Sequence, residues 1–320
     1  MRKACIDMVY ELAKRDPRVV FVGSDLSPGL LKEMKAEFPE RYFMEGVSEQ
    51  NIIGVAAGLA MDGFIPYVNT IATFITRRCY EQVALDACLH HLPIRLIGNG
   101  GGLVYAPLGP THLAIEDMAI MRALPNMTVV AASDAEEMKR LMVETLEWKH
   151  PVYIRLAKGG DPVVSKSENG FAIGKAILLK DTSVHKPVLI VSTGVTTNRS
   201  LAAAEQLEKE DIHCRVLHMH TIKPLDKEAI CKLAASSSLI VTIEEHVLMG
   251  GLGSAVLECL ADENQLGVPV KRLGIPDVFA AHYGSQDDLL NTYGLQPLQI
   301  AETIRQALKE NKNDLRIAVA

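Results

Sequence analysis

Four residues of this chain, Glu49, Phe74, Arg77 and His112, could do chemistry on a small ligand, and each stands where a strand-like run gives way to a helix or loop. Glu49 lies in Gly46-Val47-Ser48-Glu49-Gln50, just before the apolar run Ile52, Ile53, Val55, Ala56, Ala57, Leu59, Ala60 and Met61. Ser48 is a good N-cap, and the helix dipole favours a carboxylate in the first turn. A helix apolar nearly all round is expected to be buried, and a carboxylate at its mouth is costly unless something binds it. A capping glutamate and a buried glutamate that hydrogen-bonds a heteroaromatic ring both fit this pattern. Phe74, in Thr73-Phe74-Ile75-Thr76-Arg77, offers a flat apolar face at the end of the strand-like run 65–71. Arg77 adds a cation about one turn later. His112 closes Gly109-Pro110-Thr111-His112, on a glycine-rich loop after the run 94–98. A histidine there suits proton transfer near neutrality, and it also suits a plain capping role.

These residues need a scaffold, and the chain alternates strand and helix from its start. Helix is expected over 4–14, 30–38, the run after Ser48, 114–122 and from Asp134 to 148; strand is expected over 19–23, 42–45, 65–71, 94–98, 127–131 and 152–156. The run Val19-Val20-Phe21-Val22-Gly23 is wholly apolar, as in a buried parallel strand. A polar loop, 24–29, follows it. In an open parallel sheet the carboxyl ends of the strands face the ligand, and there Glu49, Phe74 and His112 fall. Residues 161–186, rich in Gly, Pro and Ser at their start, read as a linker. A second series follows, with strands at 188–192, 213–218 and 239–244 and helices at 198–207 and 227–235. The fold class is α/β: two three-layer domains, 1–160 and 187–320, joined by that linker.

A length of 320 residues suits two domains, and 48% hydrophobic with 22% charged residues suits a globular chain with a sizeable core. A net charge of −6 argues against a nucleic-acid partner. No apolar run reaches the roughly 20 residues of a membrane helix, and the N-terminus opens an amphipathic helix pattern, not a signal peptide. The six cysteines form no Cys-x-x-Cys pair and read as reduced thiols of a cytoplasmic protein. The ten histidines show no metal-ligand spacing. Gly250-Gly251-Leu252-Gly253-Ser254 looks like a phosphate loop but lacks both the dinucleotide fingerprint and a P-loop lysine. Close helix–sheet packing or a contact between protomers is the preferred reading of it.

Taken together, G-V-S-E-Q, T-F-x-x-R and G-P-T-H resemble the pyrimidine-binding domain of the transketolase family of thiamine diphosphate enzymes, including 1-deoxyxylulose-5-phosphate synthase. His218-x-x-Thr221-Ile222-Lys223-Pro224-Leu225-Asp226 and Glu244-Glu245-His246-x-x-x-Gly250-Gly251-x-Gly253-Ser254 resemble the family's C-terminal domain. The resemblance covers nearly the whole chain, with five motifs in the family's order. It implies that Glu49 shares a proton with the aminopyrimidine ring of thiamine diphosphate, that Phe74 stacks on that ring with Arg77 beside it, and that His112 contacts the donor's oxygens. The activity implied is transfer of a two-carbon ketol unit from a ketose to an aldehyde.

The family holds the diphosphate through Mg²⁺ with a Gly-Asp-Gly motif and a later Asn, and this sequence contains no Gly-Asp-Gly. The resemblance is therefore to the C-terminal subunit of a split transketolase. A separate N-terminal subunit would supply Gly-Asp-Gly…Asn and Mg²⁺, in an α2β2 assembly with sites shared between subunits. Two positions depart from the family pattern. Leu108 stands where an aspartate commonly reads a substrate hydroxyl, and Lys158 where an arginine commonly grips phosphate. A phosphate-site serine near 24–29 has no clear counterpart either, since Gly29 stands where it would fall. Lysine binds an anion as a point charge without the bidentate fork, so a sulfonated or unphosphorylated donor becomes an alternative to an ordinary sugar phosphate. The β subunit of a 2-oxo acid dehydrogenase E1 component has similar length and layout but would need a lipoyl partner. A non-catalytic regulatory subunit is the remaining reading, and retention of Glu49, Phe74 and His112 speaks against it.

Overall fold

The computed structural model describes residues 1–24, 29 and 31–319, the last eight by backbone alone. Residues 25–28 of the polar loop expected at 24–29 lie outside the described residues.

Two sheets organise the chain. The first carries β1 (Val19–Gly23), β2 (Tyr42–Met44), β3 (Ile65–Ile71), β4 (Arg95–Asn99), β5 (Thr128–Ala131) and β6 (Val152–Leu156). They run parallel in the order β5-β6-β4-β3-β1-β2. Helix α1 (Arg2–Arg15) precedes β1, and helices α2 (Lys32–Glu37), α3 (Glu49–Met61), α5 (Asp117–Ala123) and α6 (Ala135–Glu147) lie between the strands in sequence. Between β3 and β4 comes an irregular helix, α4, in which wide π-type turns at Phe74–Arg78 and Val83–Leu89 flank Tyr80–Gln82. Alternate strand residues feed opposite faces. Phe21, Tyr67, Ile97 and Ile154 pack with α1 and α6, whereas Val22, Val68, Leu96 and Tyr153 pack with α3, α4 and α5. Both faces are covered, so the strands are apolar throughout rather than alternating. Asp134 caps α6, accepting from the amides of Glu136 and Glu137 at 2.9 Å each.

The second sheet has the order β12-β11-β8-β9-β7, with β8 (Val188–Ser192), β9 (Cys214–His218), β11 (Leu239–Val247) and β12 (Val270–Ile275) parallel and β7 (Ile177–Lys180) at one edge. Its helices are α7 (Thr196–Glu208), α8 (Lys227–Ala234), α9 (Leu252–Asp262), α10 (Gln286–Thr292) and α11 (Pro297–Val319). Two findings correct the expected boundaries. β7 (Ile177–Lys180), inside the stretch read as linker, pairs antiparallel with β9 and belongs to the second domain. β10 (Thr221–Lys223), from the second half of the chain, pairs antiparallel with β5 and makes the first sheet seven-stranded among the described residues. The domains share a core, because Leu189, Val191, Leu217 and Ile240 pack in the same cluster as Ile53, Val68 and Met118.

A buried polar knot ties the domains between α6 and β9. Glu137 is fully buried, accepts from the amide of Ser133 at 2.6 Å and meets Nε2 of His218 at 2.8 Å. Burial pushes the Glu137 carboxyl up, but the charge and hydrogen bond of His218 more than offset this and hold it at about 2. His220, facing Glu137, His218 and Arg140, stacks on Phe171 with ring centroids 4.2 Å apart. Its Nε2 has no hydrogen-bond partner among the described residues, and burial drops its pKa from 6.5 to about 4. His246 behaves alike: Nε2 accepts from the amide of Ala119 at 3.2 Å, Nδ1 meets the Val247 carbonyl at 2.7 Å, and burial lowers its pKa to about 4. Both imidazoles are depressed, so the unfolded chain takes up their protons near pH 6.5 and the folded chain only near 4. Their stability is complete above 6.5 and lost as pH falls toward 4. Glu244, pushed up from 4.5 to about 7 by burial, works in the opposite sense, its contribution complete below 4.5 and lost as pH rises through 7. The two histidines therefore lower the melting temperature as pH falls from 6.5 to 4, and Glu244 and Glu245, both raised by burial, work against that fall. His220→Phe, which keeps the stack on Phe171, should flatten that fall; equal slopes in variant and parent would remove His220 from the account.

Candidate active site

The carboxyl ends of β1, β3 and β4 form one edge, because register sets Gly23 against Asn69 and Ile71 against Asn99. Polar residues end these otherwise apolar strands. Asn99 Nδ2 donates to Asn69 Oδ1 at 2.6 Å and to the Thr70 carbonyl at 2.9 Å, while Ser24 Oγ donates to Thr70 Oγ1 at 3.1 Å. All four are buried. Sequence reading passed over Asn69, Thr70 and Asn99, although a polar residue closing an apolar strand was the available signal.

Glu49, the first residue of α3, is 3% exposed. Its Oε2 accepts from Arg78 Nη1 at 2.9 Å, and its Oε1 has no partner among the described residues. Ser48 occupies the cap position but does not cap: its hydroxyl donates to the Glu45 carbonyl at 2.8 Å. The helix is not buried all round, as its composition suggested. Ile52, Ile53, Ala56, Ala57 and Ala60 face the core, whereas Gly54, Gly58 and Met61 are exposed.

Phe74 and His112 come together as expected, ring centroids 5.3 Å apart and edge to face at 64°. The guanidinium of Arg78 lies over Phe74, 4.2 Å from its centroid. Arg78 thus joins Glu49 to Phe74, whereas sequence reasoning singled out its neighbour Arg77 as the cation beside Phe74. Arg77 points elsewhere, with Nε on Glu116 at 2.9 Å and Nη2 near the Thr111 and Leu113 carbonyls at 3.5 Å. The wide turn Phe74–Arg78 shifts which side chain follows Phe74 around the axis, and such turns are frequent at functional sites. Glu116 was also missed; burial raises its pKa, Arg77 opposing. His112 sits on a tight turn, its amide donating to the Gly109 carbonyl at 3.0 Å and its Nδ1 meeting Thr111 Oγ1 at 2.9 Å. Leu108 is 51% exposed on the same loop. Lys158 is exposed two residues beyond β6, and no contact joins it to Phe74 or His112 among the described residues.

The glycine cluster is not open to a phosphate. The amides of Leu252 and Gly253, at the start of α9, donate to the buried carboxylate of Glu244 at 2.7 and 2.8 Å. A Cβ at Gly250 would come 2.7 Å from that of Ala119, so close packing explains the glycines. No group of three or more metal-ligating side chains occurs among the described residues, and no helix is long and apolar enough to cross a membrane among them.

Residues 1–160 match the family described as transketolase, pyrimidine binding domain, and residues 174–300 match transketolase, C-terminal domain. The chain is 35% identical over 314 residues to a 6-deoxy-6-sulfo-D-fructose transketolase subunit of Clostridium sp. (strain MSTE9), spanning 98% of this chain and 95% of that one. It is 34% identical over 311 residues to an apulose-4-phosphate transketolase subunit of Phocaeicola vulgatus, spanning 97% of each. A solved structure described as a split gene transketolase, inactive beta4 tetramer, superposes with a TM-score of 0.88 at 37% identity, covering 96% of this chain and 98% of that one.

Proposed function

The chain belongs to the transketolase family, as a C-terminal subunit of a transferase that depends on thiamine diphosphate, and we propose that Glu49, Arg78, Phe74 and His112 form its half of the site. The observation that carries this reading is the buried Glu49, held at one oxygen by Arg78 and free at the other, beside the Phe74–His112 pair. These residues fit an aminopyrimidine ring. Thr73 Oγ1, next to Phe74, is buried without a partner among the described residues, which leaves a polar atom for a ligand. Arg78 covers one face of Phe74, so the ring would stack on the other. Such stacking adds on the order of 1 kcal/mol beyond area burial.

When bound, thiamine diphosphate supplies the electron sink for breaking and making a bond to a ketose carbonyl carbon. The chain's residues do the rest. Glu49 Oε1 holds a proton at the ring nitrogen in a low-dielectric pocket, where that hydrogen bond is strong. Arg78 fixes the carboxylate's orientation. His112 donates to and accepts from the donor's oxygens. Mg²⁺ and the diphosphate fall to a separate N-terminal chain with Gly-Asp-Gly…Asn, in an α2β2 assembly. The exposed apolar stripe of Val47, Gly54, Gly58 and Met61 supports a contact with that chain beside Glu49.

The donor is a ketose whose anionic group need not be phosphate. Leu108 cannot bond a hydroxyl, and one relative is a sulfofructose transketolase subunit. The test is a donor–acceptor assay on the reconstituted pair, run with phosphorylated, sulfonated and unphosphorylated ketoses; absence of ketol transfer from all of them would refute the function. In the same assay, Leu108→Asp with Lys158→Arg is expected to shift kcat/KM toward ordinary ketose phosphates by about 10–100-fold, a change of roughly 1–3 kcal/mol in pocket contacts. Unchanged ratios would show that these two positions do not set the donor.

A further inference from the structure

The loop between β4 and α5, which carries His112, is gripped by the second domain along its length. Leu103, Ala106, Leu113 and Ile115 are buried in the cluster that holds Ile243 of β11, Ala280, and Leu289 and Leu290 of α10. Near the loop's start, the Leu103 amide donates to Glu245 Oε1 at 2.9 Å, and Gln286 Nε2 donates to the same oxygen at 2.8 Å. Near its end, Tyr283 lies against Gly109. A Cβ on Gly109 would stand 2.7 Å from Tyr283 Cε1, and the φ of +77° is one that only glycine adopts readily. Gly109 also supplies the carbonyl that accepts from the His112 amide at 3.0 Å. Tyr283 is 70% exposed, so the second domain's own core does not explain where its ring lies.

We propose that Tyr283 is a positioning residue: with Glu245 and Gln286 holding the start of the loop at Leu103, it presses the 109–112 turn into the one conformation that aims His112 at the substrate. The second domain thereby takes part in the reaction without touching the reactants. This inference rests on the reading of His112 as a substrate-facing group.

The test uses Tyr283→Ala and Tyr283→Phe in the full chain, alone and reconstituted with the N-terminal subunit. Hydrogen exchange of the amides in 103–113 is expected to rise roughly tenfold in Tyr283→Ala and to stay at the parent level in Tyr283→Phe. In the assembled enzyme, kcat should fall about 10–100-fold in Tyr283→Ala with donor KM changed far less, and Tyr283→Phe should restore it. Combining Tyr283→Ala with His112→Asn should cost no more than His112→Asn alone. Parent-level exchange in Tyr283→Ala, or additive losses in the double variant, would overturn the clamp. If His112→Asn alone leaves turnover intact, the reading of His112 fails, and with it the catalytic consequence of the clamp.

Discussion

Replacing Glu49 by Gln is expected to leave the chain folded and to slow the assembled enzyme on the order of 10²–10⁴-fold. Gln fills the same space, and its amide oxygen can still accept from Arg78. The lost charge costs little in stability, because a neutral amide is cheaper to bury than the Glu49 carboxylate and the Arg78 side chain, 42% exposed, stays hydrated without its counter-charge. Gln cannot hold and return a proton at the ring nitrogen, and that is the step on which the rate depends. Cofactor affinity should fall less, since Phe74 and the partner's diphosphate contacts remain. The measurement is H/D exchange at C2 of thiamine diphosphate in the reconstituted complex, beside thermal melting. Were Glu49 only a first-turn carboxylate, Gln would cost a few tenths to about 1 kcal/mol and exchange would stay near normal. That outcome would remove the catalytic role.

The isolated chain is expected to bind thiamine diphosphate at least about a thousandfold more weakly than the assembled pair, a gap of roughly 4 kcal/mol. The physical ground is what the chain offers and what it does not. Its half-site presents a buried carboxylate and an aromatic face to a ring. Its sequence contains no Gly-Asp-Gly, and no cluster of metal ligands occurs among the described residues. A diphosphate carries most of the cofactor's charge, and a charge without a counter-ion gains little from a ring pocket. Calorimetry with and without an N-terminal chain that carries Gly-Asp-Gly…Asn decides this. Tight, Mg²⁺-dependent binding by the chain alone would contradict the division of the site.

Much of the architecture was legible from local pattern. The wholly apolar run at β1 read as a buried parallel strand and is, and the runs at β3 and β6 read as strands and are. Asp134 read as a helix cap and accepts the expected amides. β7 and β10 escaped notice because each is a short edge strand with a mixed pattern, made a strand only by the partner it pairs with. The expectation that α3 is buried all round failed because Gly54 and Gly58 add nothing to a polarity count yet leave a bare face.

At the site, sequence alone determined that Glu49, Phe74 and His112 belong at the carboxyl edge of a parallel sheet. Strand period and helix start are local properties, so they place a residue at an end of its element. Tertiary structure decided which arginine serves Glu49, because a wide turn in α4 brings Arg78 to the carboxylate and sends Arg77 to Glu116. It also decided that Glu244 fills the helix mouth its glycines seemed to leave open, and that Tyr283 lies on Gly109. Each of these joins residues whose spacing in the chain has no period: packing within the first domain brings Arg78 to Glu49, packing within the second brings Glu244 to the start of α9, and Tyr283 on Gly109 needs both domains.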